Sequence, residues 1–147
     1  VSVPLAGHEA VRRAVAAGVT ESFEAFRLGN DDLWPYYAKP CRLEEWDEQS
    51  RTWVTHPEYV IAEMANLRAY LVDMGIQPYD LQIEILNITE QAPGFAEATT
   101  QILHFGQTIS SPETRLLRFQ RNRWKIHQTQ SFLLFLLRRN LPKRMLC

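Results

Sequence analysis

A chain of 147 residues, 46% hydrophobic and 22% charged, has the size and balance of one globular domain that can bury a core without metal or disulfide support. The net charge of −1 gives no global bias toward an acidic or basic partner, and the longest apolar run, Phe132 to Leu137, is far short of the roughly 20 residues of a membrane-spanning helix. Only Cys41 and Cys147 are present, without CxxC spacing, which argues against a disulfide framework or zinc site and for a reducing, cytoplasmic location. No basic stretch followed by an apolar core opens these residues, so no signal peptide is expected in them.

From His8 to Leu28 the apolar positions Val11, Val15, Val19, Phe23 and Phe26 recur at three- and four-residue steps, predicting an amphipathic helix stopped by Gly29-Asn30. Asp31 or Asp32 can cap a short helical piece through Leu33, Trp34, Tyr36 and Tyr37, bounded by Pro40. A strand is predicted from Cys41 to Trp46, turn chemistry at Asp47 to Ser50, and a return strand from Arg51 to Val54. Thr55-His56-Pro57-Glu58 reads as a capping box, with Thr55 as N-cap. It opens a helix whose stripe Val60, Met64, Leu67, Leu71 and Met74 ends at Gly75. That stripe is expected to lie against the concave face of a sheet.

Tyr79 to Glu90 alternates through Leu81, Ile83 and Ile85, then shifts phase to Leu86 and Ile88, which predicts a bulge or sharp bend. Gln91 to Gly94 turns the chain, and Phe95 to Gly106 is the next strand. Ser110-Ser111-Pro112 precedes a final hairpin, Arg115 to Phe132, whose two β-rich runs flank Arg121-Asn122. On its second run Trp124, Ile126, Gln128, Gln130 and Phe132 share one face, and Lys125, His127, Thr129 and Ser131 the other.

Charge is unevenly spread. The first 113 residues hold 7 Lys or Arg against 17 Asp or Glu, whereas the last 34 hold nine basic residues and no acid. Either basic strands face acidic surface of the same molecule or a dimer partner, or they form a footprint for nucleic acid, an acidic lipid surface or an anionic ligand. Residues 133–147 form an apolar and basic tail, read as a strand extension or as an arm that packs on its own domain or across a subunit interface.

The order of these elements, closing in a strand built around Trp124-Lys125-Ile126-His127, resembles the NTF2-like superfamily, which includes SnoaL-like and ketosteroid-isomerase-like proteins. The resemblance covers roughly residues 8 to 132. It implies an α+β fold: a strongly curved antiparallel or mixed sheet wrapped around N-terminal and central helices, as one domain over residues 1–132, and a homodimer. Its members include isomerases, hydrolases, dehydratases, transport factors and assembly modules, so the fold alone does not name a reaction.

The isomerases of this group commonly run tyrosine-alanine, several residues, then an acidic general base. Tyr37-Ala38-Lys39-Pro40-Cys41-Arg42-Leu43-Glu44-Glu45 is similar to that pattern and implies Glu45 at the base position. An apolar wall of Trp34, Tyr36, Tyr37 and Trp46 would raise the pKa of such a carboxylate. The other reading of Glu45 is a solvated acid on an edge strand, beside Glu44, Asp47 and Glu48. The isomerase oxyanion donors have no match: the tyrosine position falls at Ser22 or Phe23, and the acid position near Arg115, which can stabilise an anion only electrostatically. The aspartate–arginine triad of the hydrolases is not found either.

His104 shares strand parity with Ala98, Thr100 and Ile102, a face of mostly small residues with room for a ligand, and is the second catalytic candidate. Tyr59, Met64, Asn87, Arg115 and Gln128 complete the expected pocket lining. No metal-ligand spacing, P-loop, dinucleotide glycine pattern or GxSxG is present, so no metal and no cofactor is expected. The expected partner is a small apolar or aromatic molecule, since four Trp and five Tyr can line a pocket, rather than nucleic acid. The alternative is an interaction or assembly module whose cone is filled by side chains.

Overall fold

The computed structural model describes residues 3–30, 32–38, 42–56, 59–109, 112–130 and 143–146. Helix α1 spans Val3–Arg27, and a 3-10 turn at Trp34–Tyr36 leads to strands β1 (Arg42–Asp47) and β2 (Thr52–His56). Helix α2 (Tyr59–Asp73) is followed by β3 (Leu81–Ala92), β4 (Phe95–His104), the short β5 (Gln107–Thr108), β6 (Glu113–Gln120), β7 (Arg123–Gln130) and β8 (Lys143–Leu146). Cys41, Cys147, Pro57, Glu58 and the apolar run of residues 132–137 lie outside the described residues.

Among the described residues two sheets result, and neither closes on itself. The larger runs β3-β4-β6-β7 with β5 on β4, and the smaller runs β2-β1-β8. Every strand pair among the described residues is antiparallel. The C-terminal strand pairs with β1 inside the chain, Arg42 opposite Leu146 and Glu45 opposite Lys143. A parallel bridge, Tyr37 to Ile126, ties the segment after the 3-10 turn to the edge of β7, where the Ala38 N–H donates to the Ile126 carbonyl at 2.9 Å.

Helix α1 covers the larger sheet. Val15 and Val19 are fully buried against Ala96 and Ala98 of β4, Leu117 of β6 and Ile126 of β7. Small residues on β4 let the helix approach closely, and burying each Val is worth about 1.5–3 kcal/mol. The end of α1 contributes Phe23 and Phe26 to a second cluster with Leu67 and Leu71 of α2, Leu81 and Ile102. Among the described residues, Leu67 and Leu71 of α2 meet the larger sheet where β3 begins and β4 ends, Met64 reaches the margin of the first cluster, and α1 covers Ala96, Ala98, Leu117 and Ile126. Among the described residues, no helix is long and apolar enough to cross a membrane.

Two local expectations are corrected. Thr55 is not an N-cap: it pairs with Glu44 within β2, and α2 begins at Tyr59. Pairing β2 with β1 satisfies a row of backbone groups, whereas a cap satisfies one or two, so the ladder prevails. Met74 lies past the end of α2 and is 54% exposed, because the chain turns there, with the Ile76 N–H reaching the Leu71 carbonyl at 2.8 Å.

The other punctuation falls where the sequence places it. The β3–β4 register shifts between Ile85 and Asn87, so Leu86 is the extra residue and Ile88 returns to the inner face. Arg121 and Asn122 both have positive φ, 52° and 63°, as the two central residues of a type I′ hairpin turn require.

Candidate functional site

Along β6 the side chains alternate, so Glu113, Arg115 and Leu117 share the face that meets α1. Across the ladder Thr100 stands opposite Glu113, Ala98 opposite Arg115 and Ala96 opposite Leu117. The two alanines leave room above the sheet, and Arg115 uses it. Its Nη2 lies 3.2 Å from Glu113 Oε2, and its Nη1 donates to Thr100 Oγ1. Glu113 is 1% exposed, and Thr100 is fully buried. Burial this deep is tolerated for a carboxyl group only where charged or hydrogen-bonding partners surround it.

Tyr37 completes the group. The bridge to Ile126 carries it inward from the β7 edge, and its phenol is buried beside the Arg115 charge. Burial pushes its pKa up to about 12, with Arg115 partly opposing the rise. The phenol stays protonated across ordinary pH and can donate a hydrogen bond. Tyr37, Thr100, Glu113 and Arg115 thus form a polar island among Val15, Val19, Ala98, Leu117 and Ile126. A protonated phenol beside a guanidinium suits a carbonyl or carboxylate oxygen.

The remaining expected site residues are spread over the molecule. Trp34, Tyr36 and Met64 pack at the margin of the same core, and Met64 also lines a groove of about 390 Å³ between the end of α1 and α2, with Phe26, Leu33 and Arg68. Trp34 borders a separate cavity at the β6–β7 turn. Trp46 stacks edge-on with Trp53, centroids 5.5 Å apart, on the smaller sheet, and its indole N–H donates to Glu48 at 3.1 Å.

Asn87 pairs with Thr99 and Gln128 with Leu116, on the sheet face away from Arg115. The Leu86 bulge turns Asn87 outward, and the register shift between Leu116 and Leu117 does the same for Gln128. His104 is at the far end of β4, four residues or roughly 13 Å along the strand from Thr100 at the usual rise, and stacks on Phe105 at 4.4 Å. The side chains of Glu45 and Tyr59 are outside the described residues.

Sequence reasoning passed over Glu113 and Thr100. The signal was present: Glu113 is the last acid before a run of basic residues and stands two positions from Arg115, on one strand face.

No protein-family model and no curated protein matches the sequence. Among solved structures the chain is similar to an NTF-2 like protein of unknown function from Shewanella oneidensis MR-1, with 16% identity and a TM-score of 0.49 over 78% of this chain and 93% of that one. It is also similar to a multiply substituted protein designated Rd1NTF2_05, with 13% identity and a TM-score of 0.50 over 81% of this chain and 97% of that one. With its two helices and unclosed antiparallel sheets, the chain has the NTF2-like fold.

Proposed function

We propose that the protein binds a small apolar or aromatic molecule inside the sheet–helix cone, with Tyr37 and Arg115 receiving a carbonyl or carboxylate oxygen of that molecule. The observation that carries this reading is the polar island of Tyr37, Thr100, Glu113 and Arg115 within an otherwise apolar interior. Tyr36 and Met64, at the margin of that interior, supply apolar area. Donors of this kind stabilise a developing enolate or carboxylate, the chemistry of a cofactor-independent isomerase, dehydratase or hydrolase. Proton transfer would fall to Glu45 on β1 or to Glu113 beside Arg115. Thermal-shift screening with aromatic ketones and hydrophobic carboxylic acids tests the reading. Wild type is expected to gain Tm with at least one class, and Tyr37→Phe to lose most of that gain. Absence of any shift, together with a crystal structure whose interior is filled by side chains, overturns it.

A second reading, a non-catalytic interaction module working as a homodimer, is favoured by a different observation. Arg115 is already engaged by Glu113 and Thr100, and Phe95 and Phe119 are 45% and 50% exposed. Sedimentation at low and high salt separates the readings: a monomer at high concentration in both removes the dimer.

A further inference from the structure

The exposed apolar surface near the ends of the two helices has no part in the interior site. We propose that the groove between the end of α1 and α2 is a second ligand site, taking a small, uncharged apolar molecule that carries a carbonyl oxygen. Its volume of about 390 Å³ is within the usual range of small-molecule sites. Buried Phe26 and Leu33 and, from α2, Met64, Ala69 and Val72 give it apolar walls. Ala69 and Val72 are exposed, and so are Leu28 and Met74, the chain neighbours of the lining residues Gly29 and Asp73. Covering apolar surface left open in this way is favourable for a ligand that displaces water from it.

Arg68 supplies the polar end. Its head group lies against Gly29, where a Cβ would stand 3.0 Å from the guanidinium carbon. One hydrogen bond is accounted for, from Nη2 to the Arg27 carbonyl at 3.3 Å. The Nε is buried and has no acceptor among the described residues. The guanidinium therefore brings more donors to this end of the groove than the chain satisfies, and a ligand oxygen beside it meets that shortfall. An uncharged oxygen fits better than a carboxylate. Arg68 and Asp73 carry opposite charges within the lining, so the described residues give the groove no net positive charge. Asp31 and Glu63, the chain neighbours of the lining residues Asn30 and Met64, have side chains outside the described residues, and both are acids, which only strengthens that preference. None of the polar lining belongs to the interior group of Tyr37 and Arg115, so the two sites are separable by experiment.

The test is an amide-resolved NMR titration of the full chain with acetanilide and with benzoate. Acetanilide should produce saturable shifts confined to residues 26–30, Leu33 and residues 64–73, and benzoate should bind there more weakly. Ala69→Leu fills the groove from an exposed helical position, so it should weaken acetanilide binding about tenfold or more with Tm retained. Arg68→Lys keeps the charge but not the forked donors, and should weaken that binding severalfold. Absence of saturation, shifts centred on Tyr37, Ala98 and Arg115, tighter binding of benzoate than of acetanilide, or an Ala69→Leu protein that binds like the parent each overturns the proposal.

Discussion

Gly18 of α1 lies so close to Trp124 of β7 that a Cβ on the glycine would stand 2.9 Å from the Trp124 carbonyl oxygen and 3.5 Å from its Cβ. The obstacle is strand backbone, which cannot move aside without disturbing the Phe119–Trp124 pairing of the hairpin. Gly18→Ala gains up to about 1 kcal/mol in helix propensity, yet overpacking of this kind costs about 1–3 kcal/mol. Net destabilisation is therefore expected in urea unfolding, and a Gly18→Ala protein more stable than the parent would refute the contact.

At the other end of α1, Arg68 of α2 caps the helix: its Nη2 donates to the Arg27 carbonyl at 3.3 Å. Gly29, with φ 76°, lets the guanidinium approach to where a Cβ would be 2.9 Å from Nη1. Arg68→Ala should cost about 1–2 kcal/mol through a lost charged cap and lost packing. Hydrogen exchange should report it first, as faster exchange in the last turn of α1.

Breaking the buried pair should be expensive and mending it cheap. Arg115→Met leaves the Glu113 carboxylate buried without its cation, at a cost of about 3–5 kcal/mol. Adding Glu113→Gln should recover a large part of that loss. A double-mutant cycle with no coupling would show that the two charges do not depend on each other.

Tyr37 makes stability fall at alkaline pH. Its folded pKa of about 12 lies above the unfolded value of 10.0, so between those values the unfolded chain releases a proton that the folded protein keeps. Folding stability should decline across that window by up to about 3 kcal/mol, and Tyr37→Phe should flatten the decline. Phenolate absorbance checks it directly, since Tyr37 should ionise only on unfolding.

His127 acts on the acid side. Partial burial lowers its pKa below 6.5, with the Arg118 charge adding to the effect. Below the unfolded pKa the unfolded chain binds the proton more readily than the folded one. Its contribution is present above about 6.5 and is lost as pH falls toward the folded value. His127→Gln should reduce the slope of stability against pH in that range, and an unchanged slope would assign it to other groups.

Periodicity by itself determined α1, α2, the β3 bulge at Leu86 and the hairpin about Arg121-Asn122. In each case the signal is local: a 3.6-residue stripe, a phase shift, or a dipeptide between two β-rich runs. The tertiary structure alone decided that Thr55 extends a strand, that Lys143–Leu146 pairs with β1, and that α1 covers Ala96, Ala98, Leu117 and Ile126 of the larger sheet. It also decided the site. In strand parity Asn87 follows the apolar Leu81, Ile83 and Ile85, and Gln128 follows Trp124 and Ile126, but a one-residue register shift moves each to the outer face, whereas the pairing of Thr100 with Glu113 turns that acid inward beside Arg115. Strand parity fixes which neighbours share a face, and only the ladder between strands fixes which face is buried.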